Sequence, residues 1–349
     1  MKNSIKKYRA LAICLLILAG CLLVQNIGMA QEIKKVGTSA ATFLRIPVGA
    51  RAASMGEAFA AVSDDASSLF WNPGGIARVR NYALMVDYSD WLPGLHYTYF
   101  GLIMPVQTLG NIGISVTTLG TEEMDITTPD QPMGTGETYT AASIALGVSY
   151  SRNLTERFSF GGTFKYIDER ILNSNATGLA LDVGAIYDTP FSGVRLGFSI
   201  SNAGTKMQMS GEDLNIRVDP APNQAGNNQS IVGQYKTDRF DLPLMMRLGL
   251  SWDVIQTSGQ RLTLAADGLN PNDNGQSLNV GGEFALFNKM LLLRGGFNEL
   301  FLEEREKGLT LGAGVNAKLQ SGLGFSAAYA YQDFEHFGNI NRFTFAIIF

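Results

Sequence analysis

Cysteine is almost missing from this chain, and the two that occur, Cys14 and Cys21, both fall within the first 21 residues. That opening segment reads as an export signal, so the exported chain carries no thiol. Disulfides and Cys-ligated metals are thereby excluded. Histidine is equally scarce, with only His96 and His336, and no metal-spaced set of ligands or cofactor-binding motif is found. No metal or cofactor is therefore expected. Past the signal no apolar run approaches the roughly twenty residues of a membrane-crossing helix, which excludes a helical membrane protein. Positive charge is also short. Without the signal's Lys2, Lys6, Lys7 and Arg9, 23 of the 27 basic residues face 31 acidic ones, a balance of −8. Nucleic acid is not the expected partner of such a surface.

The signal itself has a basic start, an apolar run from Leu11 to Val24, and small residues leading to a cut after Ala30. A second reading stays open: Leu18-Ala19-Gly20-Cys21 matches a lipobox, which would make Cys21 a lipidated terminus. The later small-residue site is the stronger of the two. The expected organisation is a signal peptide over 1–30, a hatch or plug over 31–80, and a barrel over 81–349.

From residue 81 onward the dominant pattern has period two. In 141–150, Ala142, Ile144, Leu146, Val148 and Tyr150 share one face, and Ala141, Ser143, Ala145, Gly147 and Ser149 the other. Such alternation makes a strand with one apolar and one polar face. Fourteen segments of this kind can be marked between 81–88 and 340–349, an even number suited to a bacterial outer-membrane barrel. If the N-terminus and C-terminus are both periplasmic, the even connections are the inner ones: 105–109, 152–155, 190–191, 254–258, 287 and 318–320, all short. The long connections, 120–136, 203–242, 298–306 and 333–339, are all odd. Long loops outside and tight turns inside are the asymmetry of outer-membrane barrels.

The final strand alternates Phe343, Phe345, Ile347 and Phe349 with Arg342, Thr344, Ala346 and Ile348. An aromatic closing strand resembles the signal read by the barrel-insertion machinery, with Phe345 and Phe349 as its key residues. Closing the barrel also removes the unpaired edge groups that lipid cannot satisfy. Polar strand faces carry Lys165, Asp182, Arg195, Arg247, Asp253, Arg261, Asp267, Glu283, Arg294 and Lys318. Facing lipid would cost such charges a few kcal/mol each, so they are expected to line the lumen. Arg195, Arg247, Glu283 and Arg294 are the main wall candidates. Gly, Ser and Ala fill much of the remaining inner face and leave room inside.

The expected fold is thus all-β: a transmembrane antiparallel barrel of about fourteen strands, with a short, partly helical hatch in its lumen. Residues 31–80 supply the hatch. They are rich in small residues, with Ser63-Asp64-Asp65 positioned to cap a short helical turn through Trp71 that stops before Pro73. Candidate hatch residues are Gly49, Arg51, Gly56, Asp64, Asp65, Trp71, Asn72 and Pro73. The charged ones among them can pair with wall charges.

The stretches Gly37 to Ala40, Phe43-Leu44-Arg45-Ile46-Pro47-Val48-Gly49-Ala50-Arg51-Ala52-Ala53-Ser54-Met55-Gly56 and Asp64-Asp65-Ala66-Ser67-Ser68-Leu69-Phe70-Trp71-Asn72-Pro73-Gly74-Gly75 resemble the PorV/PorQ family, itself similar to the FadL long-chain fatty-acid transporters. The resemblance implies an outer-membrane barrel of the type IX secretion system. Such a barrel binds the C-terminal domain of exported cargo and carries it to the surface-attachment machinery. Its other partners would be outer-membrane lipid and further secretion components. The FadL side of the likeness implies an alternative, a hatch-gated transporter whose partner is a small hydrophobic ligand. FadL-like hatches typically carry Asn-Pro-Ala; here Asn72-Pro73-Gly74 departs by one residue, and Asn-Pro-Gly-Gly is also an ordinary turn signal.

Catalytic chemistry is not expected. His336 with Glu335 and Ser326 or Ser321 lacks any nucleophile motif. The run 270–275 has oxygen ligands before a glycine but no correctly spaced closing acid, so it reads as a hairpin loop rather than a calcium site. The forty-residue connection 203–242 is too long for mere linkage and is the expected cargo contact.

Overall fold

The computed structural model describes residues 37–349 apart from 107, 224, 225, 227–229, 304, 321 and 337. The export signal, with its cuts after Ala30 or before Cys21, lies outside the described residues, as does most of the 223–229 segment of the long connection.

Fourteen barrel strands stand among the described residues: β1 Ala83–Leu92, β2 Leu95–Val106, β3 Gly110–Thr121, β4 Ala141–Asn153, β5 Phe158–Ile171, β6 Ser174–Asp188, β7 Val194–Gly204, β8 Met245–Gln256, β9 Arg261–Pro271, β10 Ser277–Leu286, β11 Leu291–Leu300, β12 Lys307–Lys318, β13 Gly324–Phe334 and β14 Gly338–Ile348. Each pairs antiparallel with the next, and β1 pairs with β14, which closes the barrel. Register at the seam runs from Ala83 opposite Ile348 to Ser89 opposite Arg342. Tyr82 and Phe349 exchange backbone hydrogen bonds of 3.0 Å in both directions and stack their rings at 5.5 Å.

Alternation sorts the side chains as the sequence pattern requires. On β4 and β6, Leu146, Val148, Tyr150, Leu179, Leu181 and Val183 are exposed on the outer surface, while Ser149, Ala180 and Asp182 are buried inside. Phe343, Phe345 and Phe349 belong to the same exposed apolar surface. Four of the six inner connections are 154–157, 189–193, 257–260 and 287–290. The last is longer than the single residue expected from sequence. Phe287, Asn288 and Lys289 are all left-handed, at φ 51°, 57° and 68°, and no glycine announces them.

On the outer side the long connections hold structure of their own. Met124–Asp125 pairs with Thr138–Tyr139, and Asn215–Val218 pairs with Ile231–Gln234 as a separate ribbon. Ser210–Gly211 adds to the outer end of β6. Lys318 was expected in the lumen. It is instead exposed at the last residue of β12, on the inner rim and beyond the luminal filling.

That filling is the N-terminal hatch. Short helical turns cover Thr42–Arg45, Ala50–Ser54, Ser68–Trp71 and Pro73–Arg78. Val48, Ala50, Ala52, Met55, Phe59, Trp71 and Ile76 are all essentially inaccessible, although they belong to a segment without a core of its own. The wall supplies the burial, and small hatch residues allow the approach.

The hatch also has a direction. Ser39 bridges to Asp241 in the outer connection between β7 and β8, whereas Arg78 meets Asp188 at the inner end of β6. The described chain therefore enters at the outer mouth and leaves at the inner one before β1. With inner and outer sides assigned from loop lengths, the described start of the hatch lies at the outer mouth and is not a periplasmic tail.

Candidate functional site

A backbone threaded through a barrel makes few ladder bonds, so its buried N–H groups need other acceptors. Wall carboxylates provide them. Gly49 N donates to Asp87 at 3.0 Å, Phe59 and Ala60 both donate to Asp267 at 2.8 and 2.7 Å, and Ala41 donates to Glu169 at 3.0 Å. Hydroxyls on the wall act similarly: Ala50 N donates to Thr344 at 2.6 Å, and Gly56 N to Thr310 at 3.0 Å. Charge-assisted bonds of this kind exceed neutral ones in strength. Asp87 is in turn held by Arg342 at 2.6 Å, with both side chains buried. Thus the seam between β1 and β14 also carries part of the hatch.

The central ion cluster joins hatch to wall. Arg51 reaches Glu283 at 2.9 Å, Asp64 at 2.5 Å and Asp65 at 2.7 Å. Glu283, 1% exposed, also receives Arg261 at 2.6 Å and Arg294 at 2.9 Å. Burial alone would raise the Asp64 carboxyl. Arg51, with Arg195 and Arg261 further off, outweighs it and holds Asp64 below the usual carboxylate range. Nearer the outer mouth Glu57 accepts from Lys307 at 3.0 Å, Gln332 at 2.9 Å and Asn298 at 2.9 Å. Burial again opposes its charge, but Lys307 and Gln332 prevail and its carboxyl also sits low. Arg45 pairs with Asp273 at 2.9 Å, and Ser39 donates to the same carboxylate at 2.7 Å. The 270–275 run is therefore the outer hairpin expected, and its aspartate binds the hatch.

Trp71 is the apolar anchor. Its indole N–H donates to Val48 O at 2.8 Å, Phe59 and Phe70 meet it edge-on, and Arg247 lies over its ring at 5.2 Å. Arg247 also donates to Ser201 at 3.0 Å. Asn72 is fully buried. Its amide donates to Ala60 O at 2.7 Å and to Ala185 O at 3.1 Å, while its Oδ1 accepts from Gly74 N at 3.0 Å. With Pro73 starting the next helical turn, Asn72 acts as an N-cap while tying the hatch to β6. Gly74, the departure from Asn-Pro-Ala, has a local reason: a Cβ there would lie 2.8 Å from the Ala185 Cα. Met55-Gly56 makes an equally close approach to β10 and β11, where a Cβ on Gly281 would strike the Met55 carbonyl and one on Gly296 the Gly56 amide. Wall glycines here serve backbone-to-backbone contact.

The structure therefore brings Arg51, Asp64, Asp65, Glu283 and Arg294 together in one cluster, and Trp71 together with Arg247. Arg195 stands apart near the inner mouth, 3.7 Å from Asp253. Sequence reading missed Asp87, Arg342, Glu57 and Asp273. Asp87 and Arg342 were within reach, since each occupies an inward position of its strand's alternation. Glu57 and Asp273 lie in irregular segments with no period to mark them.

On the outer side of the hatch, Arg45, Glu57, Arg247 and Lys307 help line a cavity of about 30 Å³, room on the order of a water molecule or two. At the outer rim His96 Nδ1 lies 2.9 Å from the Asp90 carboxylate, and its ring stacks on Tyr88. His336 follows β13 at the outer end, whereas Ser326 sits near that strand's inner end. At about 3.3 Å per residue they are separated by some 30 Å, so no hydrolytic triad assembles from them. Ser321 lies outside the described residues.

Comparison with known proteins agrees with this architecture. The chain spans 86% of its length on the crystal structure of the Pseudomonas putida toluene transporter TodX, with a TM-score of 0.52, 12% identity and 97% of that chain covered. The CymD monoaromatic hydrocarbon channel aligns over 87% of this chain and 97% of its own, at a TM-score of 0.52 and 12% identity. The Ralstonia pickettii toluene transporter TbuX gives 86%, 97%, 0.52 and 11%. At these identities the likeness establishes the fold alone. Among curated proteins nothing matches. The family model for the type IX secretion system protein PorV matches residues 29–268. With more than half of its length matched and a closed fourteen-stranded barrel, the chain belongs to the PorV family and is an outer-membrane β-barrel of the type IX secretion system.

Proposed function

We propose that the barrel offers its outer loops to the C-terminal domain of exported cargo and passes that cargo to the surface-attachment machinery. In this reading the hatch is a fixed seal. Gly49, Arg51, Gly56, Asp64, Asp65, Trp71, Asn72 and Pro73 hold it, and Arg195, Arg247, Glu283 and Arg294 are the wall charges that receive it. The hatch unit covers 31–80 and the barrel 81–349. Phe345 and Phe349 mark the closing strand for the insertion machinery. No reaction is assigned to the chain.

The single observation that carries the reading is the hatch packed across the middle of the lumen. Carboxylate-bonded backbone and close glycine contacts leave a cavity of about 30 Å³ at the outer side. Meanwhile Met133, Val232, Tyr235 and Phe301 stand exposed on the outer connections. Apolar groups of this kind suit protein contact. A second reading, hatch-gated passage of a small hydrophobic compound, draws support from the fold shared with a toluene transporter and a hydrocarbon channel.

Native mass spectrometry of gently extracted protein separates the two. A bound mass equal to a secreted protein or its C-terminal domain supports the cargo reading. A bound small hydrophobe with no protein partner overturns it.

A further inference from the structure

We propose that the periplasmic mouth of the barrel binds an acidic peptide segment of a partner on that side of the membrane. The site is a cavity of about 560 Å³ beneath the hatch, within the roughly 300–1,000 Å³ usual for ligand sites. Five basic residues line it, Arg78, Arg80, Arg157, Arg195 and Lys289, against Asp64, Glu156 and Asp188.

Two of these acids are already engaged. Asp188 takes both ends of Arg78, at 3.2 and 2.6 Å, and Asp64 is held by Arg51 at 2.5 Å. Arg80, Arg157 and Lys289 make no ion pair among the described residues, and Glu156 is the one remaining opposing charge on the lining. These three cations come from three separate elements: the exit of the hatch, the β4–β5 turn and the β10–β11 turn. Both turns are fixed. Arg157 N donates to Thr155 Oγ1 at 3.2 Å, and Asn316 donates to Lys289 O at 2.9 Å. Like charges gathered around one concavity focus the field into it and concentrate anions there.

The opposite mouth gathers no such excess of cations. Its connection 122–140 carries Glu122, Glu123, Asp125, Asp130 and Glu137 and no basic residue, and its connection 203–242 sets Lys206, Arg217, Lys236 and Arg239 among Glu212, Asp213, Asp219, Asp238 and Asp241. An anion is therefore drawn more strongly to the periplasmic mouth. A peptide fits better than a phospholipid headgroup, because the cavity opens inside the ring of strands with the hatch as its floor. Lipid lies beyond the wall. This site is independent of what the outer loops carry.

The test uses the full protein in detergent micelles with fluorescein-labelled hexaglutamate as the probe. Saturable binding that weakens with salt is expected. The R80E/R157E/K289E variant should bind about tenfold more weakly or worse, while its heat-modifiable mobility stays that of a folded barrel. The R217E/K236E/R239E variant, with the same charge change on the outer loops, should keep binding. No saturable binding, or equal loss in both variants, would overturn the proposal. Displacement of the probe by glycerophosphoglycerol at equal concentration would overturn it in favour of a lipid headgroup. As a readout that needs no variant, a photo-crosslinking hexaglutamate should map to Arg80 or the 153–157 turn of the unmodified protein. A map on the outer loops would sink the idea.

Discussion

Arg51 reaches across 232 positions of sequence to Glu283, donating from Nε at 2.9 Å and from Nη2 at 3.2 Å. The pair joins the hatch to β10, and Glu283 binds Arg261 and Arg294 as well. Removing that carboxylate takes the ion-pair partner from Arg261 and Arg294 and leaves Arg51 with Asp64 and Asp65 alone. Breaking a buried pair from one side costs on the order of 3–5 kcal/mol. Glu283→Gln is expected to lower the midpoint of the heat-modifiable gel shift clearly, although it changes a single atom type. An unchanged midpoint would mean that the cluster contributes nothing to holding the barrel and hatch together.

A different handle acts on shape alone. Gly281 faces the Met55 carbonyl so closely that any Cβ must displace the hatch backbone. Valine there suits a strand, so Gly281→Val should still form a barrel but expel or loosen the plug. Single-channel recording in planar bilayers should show ion conductance in Gly281→Val and none in the parent protein. Equal, closed behaviour in both would show that the hatch can yield without opening a path.

Much of this fold was legible because a barrel strand writes its two faces with period two. The apolar outer face of β4, the closing strand ending at Phe349 and the short-inside, long-outside connections all followed from that period. The short helical turn before Pro73 was also readable, and it covers Ser68–Trp71; its N-cap, however, is Ser67, without a side-chain cap bond, and Asp65 accepts from Ser67 N and Oγ just ahead of it. What could not be read was pairing between a segment without period and a distant wall. Nothing local to Glu57 points to Lys307, 250 residues away. The left-handed run 287–289 escaped for a related reason, because tertiary context there outweighs the usual need for glycine. The inward positions of Asp87 and Arg342 were visible, yet alternation alone does not say which partner an inward charge will find.

Acid should loosen the hatch in one direction only. Asp64 and Glu57 are hatch carboxyls held below their ordinary range. A folded-state value below the unfolded one contributes stability above the unfolded value and loses it as pH falls through the folded one. The ion pairs of Asp64 and Glu57 should therefore hold between about pH 6 and 9 and weaken only below about pH 4, the ordinary carboxylate range. Hydrogen exchange of residues 51–57 against pH is the measurement. Loosening near neutral pH, with none in acid, would contradict the pairing described for these two groups.

The direction of the hatch gives the sharpest topological test. Ala40 N donates to Asp241 O at 2.9 Å in the long outer connection, so neighbouring Thr38, which is exposed, stands at the outer mouth. Arg80, also exposed, stands at the inner mouth. Both native cysteines lie in the first 21 residues, within the segment read as an export signal, so a single introduced cysteine is an unambiguous label site once that segment is removed. On intact cells a membrane-impermeant maleimide should label Thr38→Cys, and it should reach Arg80→Cys only after the outer membrane is permeabilised. The opposite pattern would invert the barrel. The forty-residue connection and its ribbon would then face the periplasm, and cargo at the cell surface could not be what they bind.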